Sequence, residues 1–193
     1  MSLNLQSVSN KTLIKERITK IDGLSYHENF LSNEEQIDLY RVLARLNYKL
    51  INGKPTIYFG VDYTHRKKVH DKELKDIPHF FNLLQPINLN YDQLEIQYYR
   101  KDDGHNLLKE SNIFQNNTIV IPIGSHFVYD FNKNDDWISF LMQPGCLLLL
   151  GDKSNTWDRR INKRVKEKFN NYSIYRNPFY LLTFRNVNTD FLS

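Results

Sequence analysis

Cysteine is nearly absent from this chain: Cys146 is the only one, and it sits inside an apolar run. No disulfide can form within the chain, which fits a reducing, intracellular setting such as cytoplasm or nucleus, with a mitochondrial location left open. Glycine is scarce as well, at 7 residues of 193. No Gly-rich phosphate loop, dinucleotide-binding fingerprint, zinc-type Cys/His spacing or Gly-x-Ser-x-Gly elbow occurs, so those chemistries have no support in the sequence. No apolar run reaches the length of a membrane span, and no membrane partner is expected. The first twenty residues lack the apolar core of a secretory signal. They are basic and poor in acids, as a presequence would be, but Glu16 and the lack of arginine enrichment argue against one. Residues 1–20 read as an arm followed by a short helix. No repeat or low-complexity segment interrupts the rest, so residues 21–193 are expected to form one domain.

Aromatic residues, by contrast, are abundant, with 12 Tyr and 12 Phe, and the formal net charge is +4. A positive balance favours an anionic partner such as nucleic acid, although many basic proteins bind none. Residues 24–30 read as a strand. Ser32 and Glu35 have capping-box spacing, and Ile37, Tyr40, Leu43 and Leu46 recur with helical period. That predicts an amphipathic helix over 33–46. A second helix is predicted over "KDIPHFFNLLQPI", capped by Asp76 with Pro78 in its first turn. From about residue 94 the pattern changes to short runs rich in β-branched and aromatic residues, "LEIQYY", "TIVIPIG", "HFVYDF", "WISFLM", "CLLLLG" and "FYLLTFRNV". Turn residues separate most of them. The expected architecture is α+β, with helices supporting a β-sandwich or jelly roll. The pairs Asp102-Asp103 and Asp135-Asp136 stand in turn-like contexts and are assigned to turns.

Taken in order, "GLSYHENFLSNEEQ", "YFGVDY", "IQYYRKDDG", "IVIPIGSHFVYDF", "PGCLLLLGDKSNTW" and "LLTFRNV" resemble the AlkB-like 2-oxoglutarate- and iron-dependent dioxygenases. The tRNA-modifying branch is the nearest, and the likeness runs over residues 23–187. It implies a double-stranded β-helix, that is, a jelly roll. It also implies iron held by two histidines and a carboxylate, with open positions for 2-oxoglutarate and oxygen. The first His and the carboxylate would fall as His-x-Asp after the "IQYY" strand. This chain has Leu-Leu-Lys, Leu-Lys-Glu or Lys-Glu-Ser there, depending on register, so Glu110 supplies the carboxylate in one alignment but no His accompanies it. The second His would stand two residues after Trp157, where the chain has Arg159, and no histidine follows His126. A guanidinium is permanently protonated and cannot donate a lone pair to a metal.

The resemblance also implies two arginines for the cosubstrate in the last strand. Phe179 takes the place of the first, and Arg185 matches the second. Arg185 could bind a cosubstrate carboxylate or hold a neighbouring acid, and the latter is favoured. The joint loss of both histidines and one arginine reads as a degenerate centre on a retained scaffold.

Two basic segments are candidates for contact with nucleic acid. Phe59 and Tyr63 could stack on bases, with Arg66, Lys67 and Lys68 on phosphates, and an ordinary solvated loop is an equal reading. The stretch "DRRINKRVKEKFNNYSIYR" carries Arg159, Arg160, Lys163 and Arg164 and reads as a long exposed loop, a class that is often functional. Arg159 is expected to be the exception, buried against Glu110. The leading expectation is a catalytically inactive protein that binds RNA, DNA or a partner protein and needs no cofactor. One alternative is an active oxygenase with Fe(II), 2-oxoglutarate and unusual ligands drawn from His105, Glu110 or His126. Another is a structural subunit of a larger assembly.

Overall fold

The computed structural model describes residues 18–62, 67–68, 91–111, 113–151, 153–170 and 172–187. Two antiparallel sheets face each other. The larger is ordered β1 (Leu24–His27), β10 (Leu147–Leu150), β7 (Phe114–Ile123), β14 (Phe179–Val187), β5 (Gln93–Tyr99), β3 (Lys54–Asp62) and β2 (Lys49–Ile51), with β4 (Lys67–Lys68) on β3. The smaller is ordered β6 (His105–Leu108), β11 (Asp158–Ile161), β8 (Phe127–Lys133) and β9 (Asp136–Met142). This is the expected jelly roll, a double-stranded β-helix with a supporting helix. Among the described residues no helix is long and apolar enough to cross a membrane.

Burial on both faces explains why the central strands of the large sheet read as near-continuous apolar runs. One face packs on the small sheet through Tyr99, Val120, Phe127, Phe131, Phe140, Leu148 and Phe179. The other face, with Leu94, Ile96, Ile121, Leu147 and Leu182, receives Leu39 and Leu43 of helix α1 (Asn33–Leu43).

The capping box forms as expected: the Ser32 hydroxyl accepts the Glu35 N–H, and the Glu35 carboxylate accepts the Ser32 N–H. The helix ends at Leu43, three residues short of the predicted end. Arg45 and Leu46 donate instead to the carbonyls of Val42 and Leu43, tightening the chain into a turn while Leu46 still packs on the core. Strand β1 also stops early, because Asn29 adopts a left-handed conformation (φ 52°) and bends the chain away. The second predicted helix, over residues 75–87, lies outside the described residues, as does nearly all of the N-terminal arm.

The largest correction concerns residues 158–176. They are not a long exposed loop. They form β11 and then a hairpin of β12 (Lys166–Phe169) and β13 (Tyr172–Tyr175). Strand β12 alternates, with Lys166 and Lys168 outward and Glu167 and Phe169 inward. Phe169 and Ile174 then cover Val128 and Leu141 on the outer side of the small sheet. The buried positions of this stretch include charged residues, which a hydrophobic period does not register.

Candidate functional site: a charged cavity between the sheets

In the large sheet, backbone pairing sets Tyr58, Glu95 and Thr183 in one row, with Thr56, Gln97 and Leu181 in the next. Residues at alternate positions share a face, so β5 presents Gln93, Glu95, Gln97 and Tyr99 to the small sheet. That polar stripe lines a cavity of about 470 Å³, closed from the other side by Tyr129 and Arg159. In the small sheet Arg159 is the backbone partner of Leu108, and Glu110 follows two residues later.

Glu110 sits between two guanidiniums. Arg159 donates to one carboxylate oxygen, and Arg185 Nε donates to the other at 3.1 Å. Arg185 also reaches Glu95 at 2.5 Å, and Glu95 accepts from the Tyr58 hydroxyl at 3.1 Å and from Gln97 at 3.0 Å. Gln97 in turn accepts from the Tyr99 hydroxyl at 2.9 Å. Each charged side chain of the cluster is at most 14% exposed. Burial alone would push the Glu110 carboxyl up, but Arg185 and Arg159 more than reverse this and hold it below the usual range. Burial likewise opposes charge on both arginines, and Glu110 restores it. The cluster is thus charge-balanced, two cations against two carboxylates.

These geometries decide how the residues fit a metal. Backbone pairing sets Leu108 opposite Arg159, the arrangement that the Leu108-Lys109-Glu110 alignment of the resemblance requires. Of the three ligand positions that the resemblance assigns, one is an alkyl side chain, one a guanidinium, and one a carboxylate already bonded to two arginines. That set does not fit iron. Among the described residues, no three His, Cys, Asp or Glu side chains converge. His105 lines the cavity, with its ring edge-on to Tyr99 and Tyr129 and Nδ1 2.8 Å from the Asn106 carbonyl. Burial, helped by Lys54 and Arg159, lowers its pKa to about 4 and keeps it neutral. His126 lies between β7 and β8 and does not line the cavity.

The structure divides the basic residues that the sequence grouped together. Arg159 is buried in the ion cluster, which removes it from any surface set that would meet phosphate. Arg160 lies on the outer face of the small sheet, paired with Asp130 at 2.9 Å and stacked on Trp137 at 4.3 Å. Arg164 is bonded to Glu167 at 2.6 Å. Lys163 is exposed beside the cavity, and Lys166 and Lys168 are exposed on the hairpin. Phe59 is half-buried against the core on the helix side of the large sheet, away from the cavity. Lys67 and Lys68 form β4, whereas Tyr63 and Arg66 lie outside the described residues. Arg185 holds Glu95 and Glu110, the favoured one of its two readings. Asp103 accepts from its neighbour Arg100 in a turn, as assigned.

Sequence reasoning missed Tyr58, Glu95, Gln97 and Lys54 as cavity residues. For Lys54 a signal existed: Asn52-Gly53, with φ of 50° and 78°, is a hairpin turn that sets β2 against β3 and projects Lys54 inward.

No protein-family model matches the sequence, and no curated protein matches it. Solved structures do match in fold. OsALKBH1 aligns with a TM-score of 0.58 at 15% identity, over 85% of this chain and 96% of that one. A Burkholderia pseudomallei oxidoreductase of the 2OG-Fe(II) oxygenase family aligns at 0.61 with 12% identity, over 90% and 89%. A Trichoplax adhaerens prolyl hydroxylase, solved with a hypoxia inducible factor fragment, aligns at 0.55 with 9% identity, over 95% and 93%. The shared property at these identities is the 2-oxoglutarate oxygenase fold.

Proposed function

We propose that this chain is a non-catalytic protein on the 2-oxoglutarate oxygenase fold, acting inside the cell by binding nucleic acid. The observation that carries the reading is the Arg159–Glu110–Arg185 cluster. The resemblance assigns the two imidazoles and the free carboxylate to positions 108, 159 and 110, and this cluster leaves no donor for a metal at 108 and 159. The binding half rests on the exposed lysines. Lys163, Lys166 and Lys168 lack described carboxylate partners, and Lys166 stacks on Tyr175, which is 69% exposed. Ammonium groups beside an exposed aromatic ring suit a phosphate backbone with accessible bases.

Two measurements test the halves separately. The first is metal and 2-oxoglutarate uptake by the purified protein. We expect no stoichiometric iron or cobalt in the parent. We expect cobalt, with its visible ligand-field bands, in the Leu108→His/Arg159→His double variant, which rebuilds two imidazoles beside Glu110. Tight stoichiometric iron in the parent overturns the non-catalytic reading. The second is binding to short RNA and DNA at several salt concentrations. Replacing Lys166 and Lys168 with Ala should weaken binding to all sequences alike and flatten the salt slope by roughly two. A parent that binds neither RNA nor DNA at low salt rejects nucleic acid, and a protein partner takes its place.

A further inference from the structure

The cavity holds more positive charge than its ion cluster uses. Arg159 and Arg185 are balanced by Glu95 and Glu110, but Lys54, Lys109 and Lys163 also line the space. None of the three is paired with a carboxylate among the described residues. Lys109 and Lys163 are exposed, whereas Lys54 is held half-buried at the rim. Its ammonium lies 3.7 Å over the Tyr99 ring and donates to the Gly104 carbonyl at 2.8 Å. The Gly104 backbone packs closely on residues 161–163, where a Cβ would lie 2.2 Å from the Ile161 carbonyl oxygen.

We propose that this cavity binds a small phosphorylated molecule, with Lys54 and Lys163 holding its phosphate. The site is independent of catalysis and of Lys166 and Lys168, and it shares only Lys163 with the proposed nucleic-acid surface. Three features argue for phosphate in particular. The guanidiniums, whose planar forks match carboxylates, are already bonded to Glu95 and Glu110. What remains are ammonium point charges, which suit a compact dianion. Lys54 and Lys163 also repel each other across the rim, and a doubly negative group relieves that repulsion. Finally, the lining beyond the charges includes polar and aromatic side chains, Asn52, Asn106, Tyr58 and Phe114 among them, and the volume suits a small molecule.

The proposal has a proton signature. Burial, with help from Lys163, Arg176 and Arg100, lowers the Lys54 amine to about 8 against the opposing pull of Asp103. His105 and Tyr99 also face it, and both stay neutral at that pH. An anion bound at Lys54 favours the protonated amine. Binding should therefore take up protons near pH 8 and weaken as the pH rises beyond it.

Calorimetric titration with inorganic phosphate, ribose 5-phosphate and AMP, with succinate as the carboxylate control, tests the site. We expect the phosphates to bind more tightly than succinate, with proton uptake at pH 8 seen as a dependence on buffer ionisation heat. Lys54→Met keeps the stem over Tyr99. It should weaken phosphate binding at least roughly tenfold, the loss expected for one charge-assisted contact. It should also abolish the proton uptake and leave hairpin-dependent RNA binding intact. Lys109→Ala/Lys163→Ala, at exposed positions that tolerate change, guards against a folding defect in the Met variant and should weaken the same ligands. The proposal is overturned if no phosphate binds at about 10 mM, a range weaker than any specific site would require. It is also overturned if succinate binds as well as phosphate, or if Lys54→Met binds like the parent.

Discussion

Among the described residues there are two arginine–glutamate–arginine clusters, and they solve different problems. In the cavity, Arg159 comes from the small sheet and Arg185 from the large one, so Glu110 ties the two layers together. Under the hairpin, Glu167 lies between Arg164 and Arg176, all from one stretch of chain. The cavity cluster has a second acid, Glu95, to balance its charge. The hairpin cluster has one acid for two cations, and its excess is spread onto backbone: Arg176 donates to the carbonyls of Asp103 and Asn162. Its inner pair is also drier, since the side chains of Glu167 and Arg176 are fully enclosed, while Arg164 at the edge is 34% exposed. The comparison teaches that a charge balanced by a second carboxylate tolerates a rim with water nearby, whereas one balanced by fixed carbonyls depends on the surrounding backbone.

The hairpin cluster should be the more fragile. Glu167→Ala strands a fully enclosed guanidinium, and loss of one partner of a buried pair typically costs about 3–5 kcal/mol. Urea melts should show a loss of that size. A loss below about 1 kcal/mol would mean that the carbonyls suffice and that the contrast with the cavity is wrong. In the cavity, the order of effects within the cluster is the sharper test. Glu110→Gln leaves Arg159 without a carboxylate, whereas Arg159→Met leaves Glu110 still bonded to Arg185. The first should cost about 3 kcal/mol and the second roughly half as much, with strong non-additivity in the double variant. Equal single costs would show that Arg185 does not shield Glu110.

The smallest effect is pH-dependent and is read at His105 in the cavity. His105 is lowered from 6.5 to about 4, so between those values the unfolded chain binds a proton that the folded chain refuses. Stability therefore rises with pH across that window and falls as the solution is acidified through it. Below it, protonation of Glu110, whose carboxyl lies under its ordinary value, removes more. The melting temperature of His105→Asn should decline less than that of the parent between pH 6.5 and pH 4. An identical decline would remove His105 from the buried set.

Much of the fold was legible because burial on two faces writes itself into composition. The runs at β7, β8, β9, β10 and β14 announce strands by β-branched and aromatic content alone. Helix α1 was legible because its cap and its period agree. What could not be read was any buried position occupied by charge. Arg159, Glu167 and Arg176 look like solvent-facing residues in a window of ten, because the groups that make them tolerable are distant or reside in the backbone. Glu110 is 49 residues from Arg159 and 75 from Arg185. The two such contacts that were anticipated, Arg159 against Glu110 and Arg185 on a neighbouring acid, came from the resemblance and not from pattern. In "LEIQYY" the alternation was read as an ordinary strand, yet its polar side faces a cavity rather than bulk water.

The shared carboxylate of Glu110 also limits how this sequence can drift. Changing residue 159 to something neutral leaves Glu110 and Arg185 in an altered balance, and changing Glu110 first leaves a cation enclosed. Each step alone lowers stability, whereas a joint change of both need not. Positions 110, 159 and 185 should therefore vary together or not at all among close descendants of this chain. A mutational walk toward a metal-binding centre has to begin with a protein that folds less well than its parent.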